Sequence, residues 1–264
     1  MTYSTVLDIR ALRTPAPRSH KWQNGAVLVI GGSHRYHGAL MLAAQTASAF
    51  VDMVHVASPE DYGYLLPKLR KQSMTFIPVF RKELGTYIGH VDVVLMGPGL
   101  EVNPVNRTLV NQLLRKYPEK RFVLDAGAFR MANLKYIGPH CICTPNAREF
   151  IDVFDLQPTA TNVRRVAKTY QTNILAKSAV SFISTPTKFA ENHAGHPGLT
   201  KGGTGDILAA LVTSFYTKND AFLSMKAASF LLGTTAEQLA KKRSYAYSAE
   251  DLLKAVPEVF GQLR

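Results

Sequence analysis

The chain has 264 residues, 46% of them apolar, enough to bury a core of the size a single α/β enzyme needs. Its 31 Lys and Arg against 19 Asp and Glu give a net charge of +12, scattered along the chain with no nucleic-acid-binding motif, so a field that draws in polyphosphate ligands is its expected use rather than specific nucleic-acid binding. No run of eighteen apolar residues occurs, and Asp8, Arg10, Arg13 and Arg18 interrupt the first twenty residues, so neither a membrane span nor a signal peptide is expected and the protein is placed in the cytoplasm.

In chain order, short apolar runs alternate with amphipathic stretches. Val27–Ile30, Met53–Ala57, Val91–Met96, Arg121–Leu124, Cys141–Thr144 and Asn173–Ala176 read as buried strands, with helical patterns over Ala39–Phe50, Gly63–Lys71, Pro104–Tyr117 and Thr161–Tyr170. This alternation predicts a mostly parallel central sheet with helices on both faces. Ligands of such sheets bind beyond the carboxyl ends of the strands. There the chain places its polar turns: Gly31-Gly32-Ser33, Gly97-Pro98-Gly99, Asp125 and Thr144-Pro145-Asn146 each follow a predicted strand directly. Cys141 and Cys143, the only two cysteines, share one face of a strand at a spacing that does not favour a disulfide, and are expected to be buried thiols.

After Lys177 the pattern changes. Val180–Ser184 and Thr187–Ala190 flank Thr185-Pro186, which predicts an antiparallel hairpin extending the sheet at its C-terminal edge, and helices follow near Gly205–Tyr216, Ala221–Lys241 and Ser248–Ala255. With no repeat or linker, residues 1–264 read as one domain.

Lys201-Gly202-Gly203-Thr204-Gly205-Asp206-Ile207-Leu208-Ala209-Ala210 carries the chemistry. Its glycines let a ligand approach the backbone closely, and the apolar run that follows reads as a helix whose first amides and dipole favour phosphate. A carboxylate at Asp206 is unfavourable beside phosphate unless it has a task. The task that fits is accepting the proton of a hydroxyl that attacks the phosphate.

The segment GGTGDILAAL resembles the signature of the nucleotide-dependent NAD(P)H-hydrate dehydratases, which have the ribokinase-like fold. Other stretches appear in that family's order: Gly31-Gly32-Ser33 with Gly38-Ala39, Gly97-Pro98-Gly99-Leu100, Val123-Leu124-Asp125-Ala126, Thr144-Pro145-Asn146 with Glu149, and Ile174-Leu175-Ala176-Lys177. The likeness spans roughly residues 18 to 255.

The resemblance implies repair of hydrated NADH and NADPH: ADP or ATP, with Mg²⁺ shared between phosphates, phosphorylates the ring hydroxyl, and phosphate then leaves. Asp206 would be the base, and the amides of Gly203, Thr204 and Gly205 would hold the transferring group. Ala39, Gly99, Asn146 and Asp206 match substrate-contacting positions; Lys177, Ser178, Ala179, Val180, Ser181 and Gly205 match those around the adenine nucleotide. Asn192 matches an asparagine before the loop suited to orienting phosphate or metal-bound water. No residue is assigned as a metal ligand, and a homo-oligomer is expected.

Several positions depart from the family's pattern. Asn146 stands for a histidine, Glu101 for the last glycine of GPGLG, Gly127 for the second aspartate of DADAL, Ser178 for a glycine and Arg148 for another, while Lys201 is an added cation within reach of a β-phosphate. Two other readings compete: a ribokinase-like kinase for a sugar, hydroxymethylpyrimidine or thiazole alcohol, which would release a stable phosphate ester, and a non-catalytic nucleotide- or RNA-binding protein, which would gain nothing from Asp206.

Overall fold

The computed structural model describes residues 2–58, 71 and 75–264; the helix expected over 63–71 falls, apart from Lys71, outside them. Among the described residues the strands are β1 (Ala26–Ile30), β2 (Met53–Ala57), β3 (Ile77–Pro78), β4 (Val93–Met96), β5 (Arg121–Leu124), β6 (Cys141–Cys143), β7 (Asn173–Ala176), β8 (Ser181–Ser184) and β9 (Phe189–Asn192). They form one sheet in the order β3-β2-β1-β4-β5-β6-β7-β8-β9. Every pair from β3 to β7 is parallel, and β7, β8 and β9 run antiparallel as the expected hairpin edge.

Alternation along each strand divides the apolar residues between two cores. Val27, Val29, Val54, Val56, Leu95 and Val123 face one core, roofed by helices His37–Ser48, Thr204–Tyr216, Ala221–Arg243 and Ala249–Leu263. Leu28, Ile30, Val94, Met96, Phe122 and Leu124 face the other, under helices Leu84–His90, Pro104–Lys116, Ala126–Met131 and Ala160–Thr169. Each large side chain so buried contributes roughly 1.5–3 kcal/mol. Cys141 and Cys143 lie in the second core as free thiols; burial pushes the Cys141 thiol up to about 11 and raises that of Cys143 well above its ordinary value.

The strand expected from Val91 begins at Val93. The Val91 amide still closes the preceding helix on the Tyr87 carbonyl, and the Asp92 carboxylate accepts the Ala26 amide at 2.8 Å. The last helix continues past Pro257 to Leu263, because Val256 and Val259 are buried in the first core on either side of the proline. Helix Ala147–Phe154, not anticipated, starts at an Asn146 cap and is amphipathic but only eight residues long.

Two features of this architecture place the site. β1 lies between β2 and β4, so the connections leave it in opposite directions and open a crevice at its carboxyl end. The helix Thr204–Tyr216 is buried at every position from Ile207 to Tyr216, packed between the sheet and helices His37–Ser48 and Ala221–Arg243. An all-round apolar helix of this kind is a core element. Whatever its first turn carries is therefore held on a buried core element.

Candidate functional site

At the β1/β4 crevice the two glycine turns touch: the Gly32 amide donates to the Pro98 carbonyl at 2.7 Å. A Cβ on Gly99 would lie 2.2 Å from the Tyr36 carbonyl and 3.2 Å from the Ala39 Cβ, so Ala39 and Gly99 are neighbours across this crevice. Gly97 has φ +129°, and a Cβ there would sit 1.8 Å from the Asp125 carbonyl. Only glycine fits that close approach, and it fixes the β5 end against the β4 end.

The end of β5 is the centre of a charge cluster. Asp125 Oδ1 accepts the Thr144 hydroxyl at 2.7 Å and the Lys177 ammonium at 2.7 Å. The side chains are nearly buried, with 3% of Asp125 and 18% of Lys177 exposed. Lys177 is brought there by the end of β7, where its amide donates to the Pro145 carbonyl at 2.8 Å. Burial disfavours the Lys177 ammonium, but Asp125, Glu149 and Asp206 outweigh it and hold its pKa above the ordinary lysine value.

The glycine loop closes on the same cluster. Gly203, at φ +93°, is the N-cap of helix Thr204–Tyr216 and packs where a Cβ would strike Leu42 and Ala249. Ile207 is the first residue of that helix to bond back, to the Gly203 carbonyl at 3.2 Å, which leaves the Gly205 and Asp206 amides without a helical partner. The Thr204 amide makes only a long contact to the Lys201 carbonyl at 3.5 Å, and its hydroxyl turns back to the Leu199 and Lys201 carbonyls at 2.6 and 2.9 Å. A Cβ on Gly205 would lie 3.5 Å from Lys177 Nζ, so the lysine stands against the loop. Burial raises Asp206 to about 7; Asp125 pushes the same way and Lys177 opposes it. A carboxyl near neutrality at an open helix N-terminus can accept a proton at working pH.

The remaining expected residues divide. Asn146 caps helix Ala147–Phe154: its Oδ1 accepts the Glu149 amide at 2.9 Å, while Glu149 Oε2 accepts the Asn146 amide at 2.8 Å. Glu149 belongs to the cluster, its carboxyl raised by burial against the opposing pull of Lys177. Ser178 through Val180 form the turn from Lys177 into β8, which Ser181 begins, with the Ser178 hydroxyl donating to the Val180 carbonyl and Ser178 and Ala179 exposed. Lys201 is engaged elsewhere than the phosphate reach expected of it: its ammonium donates to the Tyr245 carbonyl and, at 2.7 Å, to the Tyr247 carbonyl, over both tyrosine rings. Asn192 is 3% exposed and its amide nitrogen donates to the Ala194 and Ser229 carbonyls at 2.9 and 3.4 Å, tying the end of β9 to helix Ala221–Arg243, while its Oδ1 is buried without a hydrogen-bond partner. Asp125, Thr144 and Glu149 had been given no role. In sequence they are polar residues after or close to a buried strand, within stretches that follow the family's order, but neither signal gives them a role.

Residues 27–258 match the NAD(P)H-hydrate dehydratase family. The bifunctional NAD(P)H-hydrate repair enzyme Nnr of Methanocaldococcus jannaschii is 35% identical over 96% of this chain and 51% of its own length, and that of Archaeoglobus fulgidus 34% identical over 91% and 52%. The chain thus spans about half the length of these relatives. The ADP-dependent (S)-NAD(P)H-hydrate dehydratase of Cenarchaeum symbiosum is 30% identical over 91% of this chain and 90% of its own. In fold, the chain superposes on the Bacillus subtilis ADP/ATP-dependent NAD(P)H-hydrate dehydratase co-crystallised with ATP and Mg²⁺ with a TM-score of 0.86 at 22% identity, covering 100% of this chain and 99% of that one. A ribokinase-like superfamily protein of Enterococcus faecalis gives 0.89 at 22% identity, covering 99% and 96%. A charge cluster beside an open, glycine-capped helix end, on a ribokinase-like fold and within a match that reaches from β1 to the last helix, assigns the chain to the NAD(P)H-hydrate dehydratase family.

Proposed function

We propose that this chain dehydrates the hydrates of NADH and NADPH at the expense of ADP or ATP; the name of the Cenarchaeum relative makes that protein ADP-dependent, and that of the Bacillus subtilis neighbour makes it ADP/ATP-dependent. The observation that carries the reading is Asp206: a carboxyl raised to about 7, one residue after a glycine whose amide is free, at the N-terminus of a core helix.

Hydroxide is a poor leaving group from the hydrated ring. In the first step the ring hydroxyl oxygen attacks the terminal phosphorus of the nucleotide, its proton passes to Asp206, and AMP or ADP leaves. The Gly203, Thr204 and Gly205 amides are read as the donors that meet the charge on the transferring phosphoryl group. In the second step the ring-nitrogen lone pair expels phosphate, and loss of a neighbouring ring proton restores the dihydronicotinamide. Ala39, Gly99 and Asn146 are proposed to border the hydrate, and Lys177 with residues 178–181 the adenine nucleotide. Three carboxylates surround one ammonium here, so a polyphosphate needs further positive charge; Mg²⁺ entering on the nucleotide supplies it. A homo-oligomer in the cytoplasm remains our expectation; among the described residues no helix is long and apolar enough to cross a membrane.

The test follows absorbance at 340 nm as purified chain meets hydrated NADH with ADP, ATP or neither. Recovery of absorbance with one nucleotide, together with stoichiometric inorganic phosphate, is the expected result. A stable phosphate ester with no recovery would instead make the chain a small-molecule kinase.

A further inference from the structure

Asp125 is buried at the heart of the cluster, yet the mechanism above gives it no step. Its Oδ1 is held at 2.7 Å by a Thr144 hydroxyl that is itself fully buried, and that same oxygen receives Lys177 at 2.7 Å. Its backbone carbonyl is seated against Gly97. A carboxylate fixed from two sides leaves the ammonium one place to be, and that place faces Gly205. We propose that Asp125 is a positioning residue of the phosphoryl-transfer site: with Thr144 it anchors the Lys177 ammonium against the glycine loop, one residue before Asp206, and so sets the charge that Asp206 faces. This rests on the dehydratase reading for its place in turnover, but not for the geometry.

Asp125 follows β5, Lys177 follows β7 and Glu149 lies on helix Ala147–Phe154; these are the charges that face Asp206. Arg130, on helix Ala126–Met131, acts on Glu149. Helix His37–Ser48, packed under the loop, carries no carboxylate or ammonium, its one titratable group being His37 at its first position. Helix Ala249–Leu263 meets Gly203 through Ala249; its Asp251 is engaged by Ser248 and Arg243. Lys201 is occupied by the tyrosine carbonyls. The signs then follow. Burial is the main cause of the raised Asp206 carboxyl, Asp125 adds to it and Lys177 subtracts. Asp125→Asn removes the repulsion while keeping an oxygen for Thr144 and Lys177, so the ammonium stays at the loop with Asp206 as its nearer counter-charge and the Asp206 midpoint falls; Lys177→Met removes the ammonium and raises it.

The experiment titrates the full chain, carrying ¹³C-carboxyl aspartate and without ligand, by NMR, with the Asp206 signal identified by its loss in Asp206→Asn. The wild-type midpoint is expected near 7. Asp125→Asn should lower it by about one pH unit and Lys177→Met raise it by a similar amount. In turnover, Asp125→Asn should lower kcat by about 10–100-fold with KM for the hydrate little changed, and shift the acidic limb of the rate profile downward. An Asp206 midpoint that stays put in Asp125→Asn, or moves the same way in both variants, overturns the proposal. Should Asp125→Asn not fold, Lys177→Met decides it: an unmoved midpoint means that Lys177 is not held against Asp206. Opposite shifts in a chain that restores no hydrate with either nucleotide would keep the role of Asp125 and reject the dehydratase reading.

Discussion

Replacing Asp206 by Asn should make the protein more stable and nearly inactive, and the gain in stability should grow with pH. The folded chain holds the Asp206 proton up to about 7, whereas an unfolded aspartate releases it near 3.8. The folded state therefore binds more protons between these limits, and stability falls as pH rises through that window. Well below pH 3.8 both states are protonated and the cost vanishes. Above pH 7 it is complete, and at about 1.4 kcal/mol per pH unit it amounts to roughly 4 kcal/mol. Asparagine has nearly the same shape and no charge to bury, and Lys177 keeps Asp125 at 2.7 Å as its partner. The variant should therefore melt on the order of 8 °C above the wild type at pH 8 and by less than half of that at pH 5, since a chain of this size gains roughly 2 °C per kcal/mol. Turnover should fall by about 10²–10⁴, the usual loss with a general base, while nucleotide affinity stays level or improves. Thermal melts of both proteins at the two pH values are the assay. An advantage of equal size at pH 5 and pH 8, or a variant less stable than wild type at pH 8, would refute the claim that the buried charge of Asp206 is a cost borne for catalysis.

The Gly97→Ala variant puts a Cβ 1.8 Å from the Asp125 carbonyl at a backbone φ of +129°, so it should lose more than about 3 kcal/mol or fail to accumulate as folded protein, as measured by denaturant unfolding. A fully stable Gly97→Ala would mean that the β4 and β5 ends are not locked together. Lys201→Met should lower the melting temperature by a few degrees, through loss of about 1–2 kcal/mol of charge-assisted hydrogen bonding to the Tyr245–Tyr247 segment, with ADP affinity by calorimetry changed less than about threefold. A tenfold loss of affinity with unchanged melting would return Lys201 to the phosphates.

The central sheet was legible because its strands are buried on both faces and read as short apolar runs, as Val93–Met96 and residues 122–124 do, and because its connections are helical. The short elements were not. Ala126–Met131 spans six residues and β3 two, too few for periodicity to speak. At the site, the loop and Asp206 stood out in sequence because a carboxylate among glycines at a helix start needs a reason. The grouping of Asp125, Thr144, Glu149 and Lys177 did not, since it depends on which strand ends are neighbours. β5, β6 and β7 must lie side by side before Asp125 and Lys177, 52 residues apart, can share an oxygen atom.

The positions that depart from the family's pattern now have physical accounts, and these lie in the scaffold. A Cβ at Gly127 would fall 2.0 Å from the Leu100 carbonyl, so the aspartate usual at that position does not fit the path the chain takes here. The next residue on that path is Glu101, also a departure, whose carbonyl accepts the Asn106 side-chain amide at 2.9 Å and ties the turn to helix Pro104–Lys116. Asn146 is a better helix cap than histidine and bonds as one. Ser178 closes its turn on Val180, and Arg148 pairs with Asp152 on an exposed helix face at 2.9 Å. None of these residues is among the charges that act on Asp206, which come from Asp125, Lys177 and Glu149. A substitution at one of those three would act on the proton chemistry directly, whereas the changes at 146 and 178 act on the ligands those positions are proposed to border.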